Sequence, residues 1–177
     1  MAGTFKKLNG RFFREIEPQT RRMKVEPKIV TRPTFTVVGM KYRGRNEKNE
    51  IPQLWEKFMP RAQEVTPKAN PNVCYGVMDG YDEKTGDFDY LAAFEVQDVS
   101  NIPEGMESWQ VPEQTYAVFP CNLKNIKEAF QQIYHEWLPQ SGYQRAQGPD
   151  FEFYDESFKP NQGKLDMYIY VPVKKKA

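Results

Sequence analysis

The sequence predicts an α+β domain made of two similar halves, and three observations support this fold class. The order strand, helix, strand, strand occurs twice, in Phe35–Val96 and in Thr115–Val171. Both predicted helices carry apolar residues at spacings of three and four, as in helices that pack one face against a sheet. The length of 177 residues suits one domain with a sizeable core rather than two full domains.

The first half begins with a predicted strand at Phe35–Tyr42, where β-branched and aromatic residues dominate. The apolar spacing predicts a helix over Ile51–Val65, and Pro60 is expected to kink or shorten it because proline donates no backbone hydrogen bond. A turn-rich segment then joins two strands as a predicted hairpin, Val73–Asp79 and Phe88–Val96.

The second half repeats this order after a connector at Asp98–Pro112 that contains proline and glycine. Its predicted elements are a strand at Thr115–Phe119, a helix at Leu123–Leu138, and strands at Asp150–Asp155 and Lys164–Val171. We therefore predict one domain over residues 27–177, with halves at about 28–97 and 113–174. Residues 1–26 are basic and lack a sustained period, so we expect them to form a flexible leader.

The charge balance and the absence of long apolar runs disfavour several function classes. With 25 basic and 24 acidic residues, the net charge of +1 does not favour direct nucleic-acid binding or a membrane-surface role. The sequence has no run of about 18 apolar residues that would span a membrane, and its N-terminus lacks an apolar signal region. We expect a cytoplasmic protein.

Residues that bind metals or act as nucleophiles are scarce. Cys74 and Cys121 lack metal-ligand or CxxC spacing, and His135 is the single histidine. A zinc site or a His-based triad is hard to assemble from this set. The sequence therefore predicts no metal and no cofactor, and two free thiols in a reducing compartment.

The last two strands hold the residues that point most clearly to a site. In Lys164–Val171 one face is aliphatic and is expected to take the helix, while the other carries tyrosines. In the preceding strand Glu152 and Tyr154 share one face, and two phenylalanines occupy the other. If these phenylalanines lie under the helix, one face collects Glu152, Tyr154, Tyr168 and Tyr170. A carboxylate among tyrosines suits a cationic or polar aromatic ligand.

Structural roles for the same residues stay open. Glu152 also fits an exposed carboxylate at a sheet edge, and Tyr168 and Tyr170 are good strand formers in any case. Trp55 and Trp137 lie on the apolar helix stripes, which favours core packing over ligand stacking. Tyr90 is a first-half candidate for the facing wall of the pocket, together with Tyr75, Phe94 and Glu95. The candidate ligand-binding residues are Glu152, Tyr154, Tyr168, Tyr170, Trp137, Tyr90, Trp55 and Tyr116.

Three segments resemble a known superfamily: KIVTRPTFTVVGMKYRG, YGVMDGYDEKTGDFDYLAAFEV and YAVFPC…IYHEWLPQSGYQRAQGPDFEFYD…MYIYVPV. They are similar to the GyrI-like small-molecule-binding superfamily. It includes the effector-binding domains of bacterial AraC-type and MerR-type multidrug regulators and stand-alone gyrase-modulating proteins. The resemblance implies duplicated halves with pseudo-twofold symmetry and a ligand cleft between them. It also implies that Glu152 lies in or beside that cleft and recognises cationic or polar aromatic compounds.

The expected function is small-molecule binding without chemistry, by a stand-alone module, since the leader is too short for a helix-turn-helix domain. The ligand is expected to be a small hydrophobic or cationic aromatic compound. One alternative is an enzyme, since some stand-alone relatives are hydrolases of cyclopropanoid electrophiles; Glu152 would then be the general acid or base. Another alternative is a protein-interaction module, such as a gyrase or transcription modulator, whose protein partner contacts the leader and the connector around Trp109.

Overall fold

An antiparallel sheet carries most of the chain. The structure is a computed structural model and describes residues 5–8, 11–14, 26–158 and 167–176. The strands are β1 (Phe5–Leu8), β2 (Arg11–Arg14), β3 (Lys28–Arg32), β4 (Phe35–Gly44), β5 (Cys74–Asp79), β6 (Phe88–Val96), β7 (Glu107–Val111), β8 (Gln114–Cys121), β9 (Tyr143–Arg145), β10 (Asp150–Tyr154) and β11 (Met167–Lys175). Within these residues β1 and β2 form a separate hairpin. The other nine strands form one sheet in the order β3-β8-β11-β10-β5-β6-β4-β7, with β9 paired to β11.

The two predicted halves meet at the centre of this sheet, where β5 pairs with β10. On one side of the junction the order is β5, β6, β4, and on the other side it is β10, β11, β8. Each half therefore places its third strand between its first and its second. The predicted α+β class and the repeat of topology are confirmed, while the pseudo-twofold symmetry stays a prediction.

Short links force the sheet to curl. Only Pro33 and Thr34 separate β3 from β4, although these strands lie near opposite ends of the strand order. Pro112 and Glu113 likewise separate β7 from β8, and the Glu113 N–H donates to Thr34 Oγ1 at 2.9 Å. The curl encloses one face of the sheet, which we call the inner face; the opposite face, which carries Glu152, is called the helix face.

Both helical regions pack on the helix face. The first, α1 (Glu50–Phe58), continues as a 3-10 helix at Met59–Glu64, as expected from Pro60, and its Leu54 and Phe58 are buried. In the second region Ile133 packs with Phe119 and Met167. That region consists of a 3-10 turn at Leu123–Asn125, α2 (Ile126–Gln132), a π-helical turn at Ile133–Trp137, and α3 (Leu138–Gln140).

Besides the hairpin β1–β2 and the short strand β9, two edge strands are absent from the sequence-based prediction. The predicted connector Asp98–Pro112 contains β7, and β3 precedes the first predicted strand. Both are edge strands with mostly exposed residues, so their sequences lack a strong apolar alternation. The start of the predicted strand Lys164–Val171, residues 164–166, lies outside the described residues. The expected flexibility of the leader stays a prediction.

Candidate functional site

A buried carboxylate lies where the two halves meet on the helix face. Glu152 in β10 is only 5% exposed and pairs with Gly76 in β5. The hydroxyls of Tyr90 and Tyr154 donate to the same oxygen, Glu152 Oε2, at 2.6 and 2.7 Å. Trp55 in α1 donates from Nε1 to the Tyr90 hydroxyl at 2.9 Å. We call these four residues, Trp55, Tyr90, Glu152 and Tyr154, the Glu152 cluster; it draws side chains from both halves.

Gly76 leaves the space that this cluster needs. A Cβ atom at position 76 would overlap with the Tyr90 hydroxyl oxygen and with Glu152 Oε2. A glycine inside a strand is typical of such a close approach. Gly76 is not among the site residues predicted from the sequence, although its place within the predicted strand Val73–Asp79 is the signal that could have identified it.

The electrostatics of Glu152 are dominated by its burial. Burial raises the pKa of this carboxyl from 4.5 to about 7, and the hydrogen bonds from Tyr90 and Tyr154 act in the opposite direction. No cationic side chain of the described residues forms an ion pair with Glu152. A buried glutamate normally has a charged partner. The cluster therefore presents an ionisable carboxyl group that has no counter-ion in the part of the chain that the structure describes.

A groove of about 310 Å³ borders the Glu152 cluster. Tyr154 belongs both to the cluster and to the groove wall, and its ring contacts Trp55 edge-on at 5.7 Å and Phe158 at 4.7 Å between centroids. The groove is lined by Met59, Pro71, Asn72, Cys74, Phe94, Tyr154, Asp155, Glu156 and Phe158. Burial, together with the charge of Glu152, raises the pKa of the Cys74 thiol to about 12. Aromatic walls with carboxylates nearby are suited to an organic cation.

The predicted grouping of Glu152 with Tyr168 and Tyr170 is wrong. In the β10–β11 register Glu152 pairs with Ile169, and the phenylalanines on either side of Glu152 pair with the two tyrosines. Directly paired residues of antiparallel strands point to the same face. Glu152 and Tyr154 therefore lie under the helices with the aliphatic face of β11, which does pack against the helices as predicted. Tyr168 and Tyr170 lie on the inner face.

The remaining predicted residues are distributed between these regions. Tyr90 and Trp55 join Glu152 and Tyr154, whereas Tyr116 lies on the inner face. Trp137 packs in the second-half core, where its ring lies 5.0 Å from Phe119 and 6.1 Å from Tyr143. Of the other first-half candidates, Phe94 lines the groove, and Tyr75 and Glu95 meet on the inner face.

The described residues contain no cluster of three or more His, Cys, Asp or Glu arranged to hold a metal ion. His135 is exposed on the second helical region. Within the same part of the chain, none of the helices has the length and apolar character needed to cross a membrane.

Known proteins with similar sequences include a transcriptional regulator and a DNA gyrase inhibitor. The transcriptional regulator BrlR from Pseudomonas aeruginosa is 42% identical over 149 residues, which cover 82% of this chain and 54% of that protein. A DNA gyrase inhibitor from Erwinia billingiae is 34% identical over 82 residues, which cover 42% of this chain and 50% of that protein. The chain thus matches about half the length of each of these curated relatives.

Solved structures show the same fold. The structure of SAV2435 bound to tetraphenylphosphonium aligns with a TM-score of 0.64 at 18% identity, over 84% of this chain and 94% of that one. The GyrI-like resemblance is confirmed at the level of the family, because residues 28–173 match Cass2, described as an integron-associated effector binding protein. The chain belongs to the Cass2 family of effector-binding proteins.

Proposed function

We propose that this protein binds an aromatic organic cation at the Glu152 cluster and in the adjoining groove, without carrying out chemistry on it. The observation that carries the proposal is the burial of Glu152 without a counter-ion among the described residues. An ionised carboxylate in this position loses its hydration and regains only two hydroxyl hydrogen bonds. A bound cation supplies the missing charge.

The groove accounts for the aromatic part of the ligand. Phe94, Phe158 and Tyr154 offer ring surface on which the apolar arms of a cation can pack. Tyr154 lines the groove and donates to Glu152, so it connects the aromatic wall with the carboxylate. The ligand of SAV2435, tetraphenylphosphonium, is a cation of this class and supports the assignment.

A fluorescence titration with tetraphenylphosphonium tests the proposal on three proteins: wild type, Glu152→Gln and Glu83→Gln. Glu83 is an exposed glutamate in the turn between β5 and β6 and serves as the matched control. We expect saturable binding to wild type and to Glu83→Gln, and an affinity roughly ten- to hundredfold lower for Glu152→Gln, since a lost charge interaction is worth about 1.5–3 kcal/mol. Equal affinity of all three proteins would contradict the proposal.

A neutral analogue separates charge recognition from apolar contact. Triphenylphosphine oxide has aromatic arms but no net charge. Its affinity is therefore expected to be nearly the same for wild type and for Glu152→Gln. If Glu152→Gln lost affinity for both compounds to a similar degree, the variant would have a damaged groove rather than a missing charge.

A second candidate function is inhibition of gyrase through direct contact, which is favoured by the relative described as a DNA gyrase inhibitor. A supercoiling assay with purified gyrase and the full chain tests it. Inhibition that is equal for wild type and Glu152→Gln would assign this activity to a surface separate from the Glu152 cluster. Unchanged supercoiling would exclude it.

A further inference from the structure

The inner face of the sheet encloses a cation of the protein itself. The guanidinium carbon of Arg32, Cζ, lies 4.3 Å from the centroid of the Phe35 ring. The centroids of Tyr75, Phe151 and Phe153 lie 5.2, 5.5 and 5.7 Å from the same atom. All four distances fall within the range of about 6 Å in which a cation is attracted to an aromatic face. Arg32 thus sits in an aromatic cage formed by these four rings.

Hydrogen bonds complete the cage at its polar side. Arg32 Nη2 donates to the Tyr75 hydroxyl at 2.7 Å and to Glu95 Oε2 at 3.0 Å. The Tyr75 hydroxyl donates in turn to Glu95 Oε2 at 2.7 Å. The cage therefore offers what a planar cation with N–H donors requires, namely ring faces for stacking and a carboxylate for the donors.

One buried hydroxyl group of the inner face has no hydrogen-bond partner among the residues with described positions. The Tyr116 hydroxyl is buried and forms no hydrogen bond within the described residues. Its ring lies 5.0 Å from Phe151, which belongs to the cage. Burial raises the pKa of the Tyr116 hydroxyl to about 12, and the nearby charge of Arg32 acts in the opposite direction. A buried hydroxyl without a protein partner is uncommon, and this one can form a hydrogen bond with a ligand that enters the cage.

We propose that the aromatic cage is a second cation site, separate from the Glu152 cluster, which accepts planar guanidinium or amidinium compounds in exchange for the Arg32 side chain. Arg32 ends β3, an edge strand of the described sheet, and its side chain is 20% exposed. Solvent therefore reaches part of this side chain, and its outward rotation uncovers the four rings of the cage. An incoming ligand stacks on the four rings and donates to Glu95 and Tyr75, and the Tyr116 hydroxyl can accept from a further N–H group.

The chemical test is to empty the cage and refill it. Arg32→Ala removes the atoms of ethylguanidinium, which is the probe. We expect ethylguanidinium to raise the Tm of Arg32→Ala with the logarithm of its concentration above Kd, by about 3–6 °C at ten times Kd. Ethylammonium, which has the charge but no planar fork, should have a much smaller effect. The double variant Arg32→Ala/Glu95→Gln should lose the response, while Arg32→Ala/Glu152→Gln should keep it, which separates this site from the Glu152 cluster.

An NMR titration of wild type tests independently whether a ligand displaces Arg32 from the cage. This test remains possible if Arg32→Ala does not fold. Benzamidinium is titrated while the Nε–Hε signal of Arg32 is followed by NMR. A saturable shift that is lost in Glu95→Gln supports the exchange. An Arg32 signal that does not respond, or a Tm of folded Arg32→Ala that rises no more with ethylguanidinium than with ethylammonium, would overturn the proposal.

Discussion

The Tyr90 hydroxyl donates to Glu152 Oε2 at 2.6 Å and so connects a strand of the first half with a strand of the second. The same hydroxyl accepts from Trp55 Nε1 at 2.9 Å, which fixes the direction of its own proton toward Glu152. Helix α1 is thereby linked to a carboxylate that lies 62 positions beyond Tyr90 in the chain. Any ligand that changes the position or charge of Glu152 will also act on Trp55.

The stability of the protein is expected to depend on pH through Glu152. Its pKa rises from 4.5 in the unfolded chain to about 7 in the folded protein, so the folded protein keeps a proton that the unfolded chain releases. This contribution is fully present below pH 4.5 and is lost as pH rises to about 7. Across this pH range the free energy of unfolding of wild type should fall by up to about 3 kcal/mol relative to that of Glu152→Gln. Urea unfolding of both proteins at pH 4.5 and pH 8 measures this change. The prediction is contradicted if the difference in stability between the two proteins is the same at both pH values.

The affinity for tetraphenylphosphonium should rise with pH over the same range. The cation binds to the ionised carboxylate, so the affinity increases by up to tenfold per pH unit below about pH 7 and then levels off. Glu152→Gln should bind weakly with no such slope. Titrations between pH 5.5 and 8.5 test this, and a parallel pH dependence in both proteins would assign the slope to another group.

The two tyrosine hydroxyls set the pH at which the affinity levels off. Tyr90 and Tyr154 both lower the pKa of Glu152, so Tyr90→Phe and Tyr154→Phe should raise it and move the levelling point above pH 7. Tyr81→Phe is the matched control, because Tyr81 is 68% exposed. A shift to lower pH, or an equal shift in the control, would show that the hydroxyls do not stabilise the carboxylate.

Gly76 should not tolerate a side chain. Gly76→Ala places a methyl group against the Tyr90 hydroxyl and Glu152 Oε2, and is expected to lower the free energy of unfolding by about 1–3 kcal/mol and to weaken tetraphenylphosphonium binding. Gly142→Ala is the control, since a Cβ there meets no atom within 4 Å. Urea unfolding and titration of both variants provide the comparison. Similar stability and affinity in the two variants would mean that the cluster adapts to the methyl group.

The sequence predicts the elements of this fold better than it predicts the faces of its strands. Periodicity identifies both helices and the six strands of the two halves, because each has an apolar side that packs in a core. The edge strands β3 and β7 escape this reasoning, since each pairs on one side only and buries little.

Strand register explains the error in the predicted site. Parity within β10 correctly places Glu152 beside Tyr154, but only the pairing of Glu152 with Ile169 decides which face of β11 they join. A register shift of one residue exchanges the two faces, and no short-range signal in the sequence specifies it here. The contact of Glu152 with Tyr90 depends on the pairing of β5 with β10 and is equally non-local.

The most direct test is an NMR titration of the Glu152 carboxyl carbon, with and without saturating tetraphenylphosphonium. The free protein should show a pKa near 7, and the complex should show a lower value, since the bound cation stabilises the ionised form. By linkage, the decrease in pKa should equal the total rise in the logarithm of the affinity between low and high pH. An identical pKa in the free and bound protein would mean that Glu152 does not sense the cation, and would contradict its proposed role in recognition.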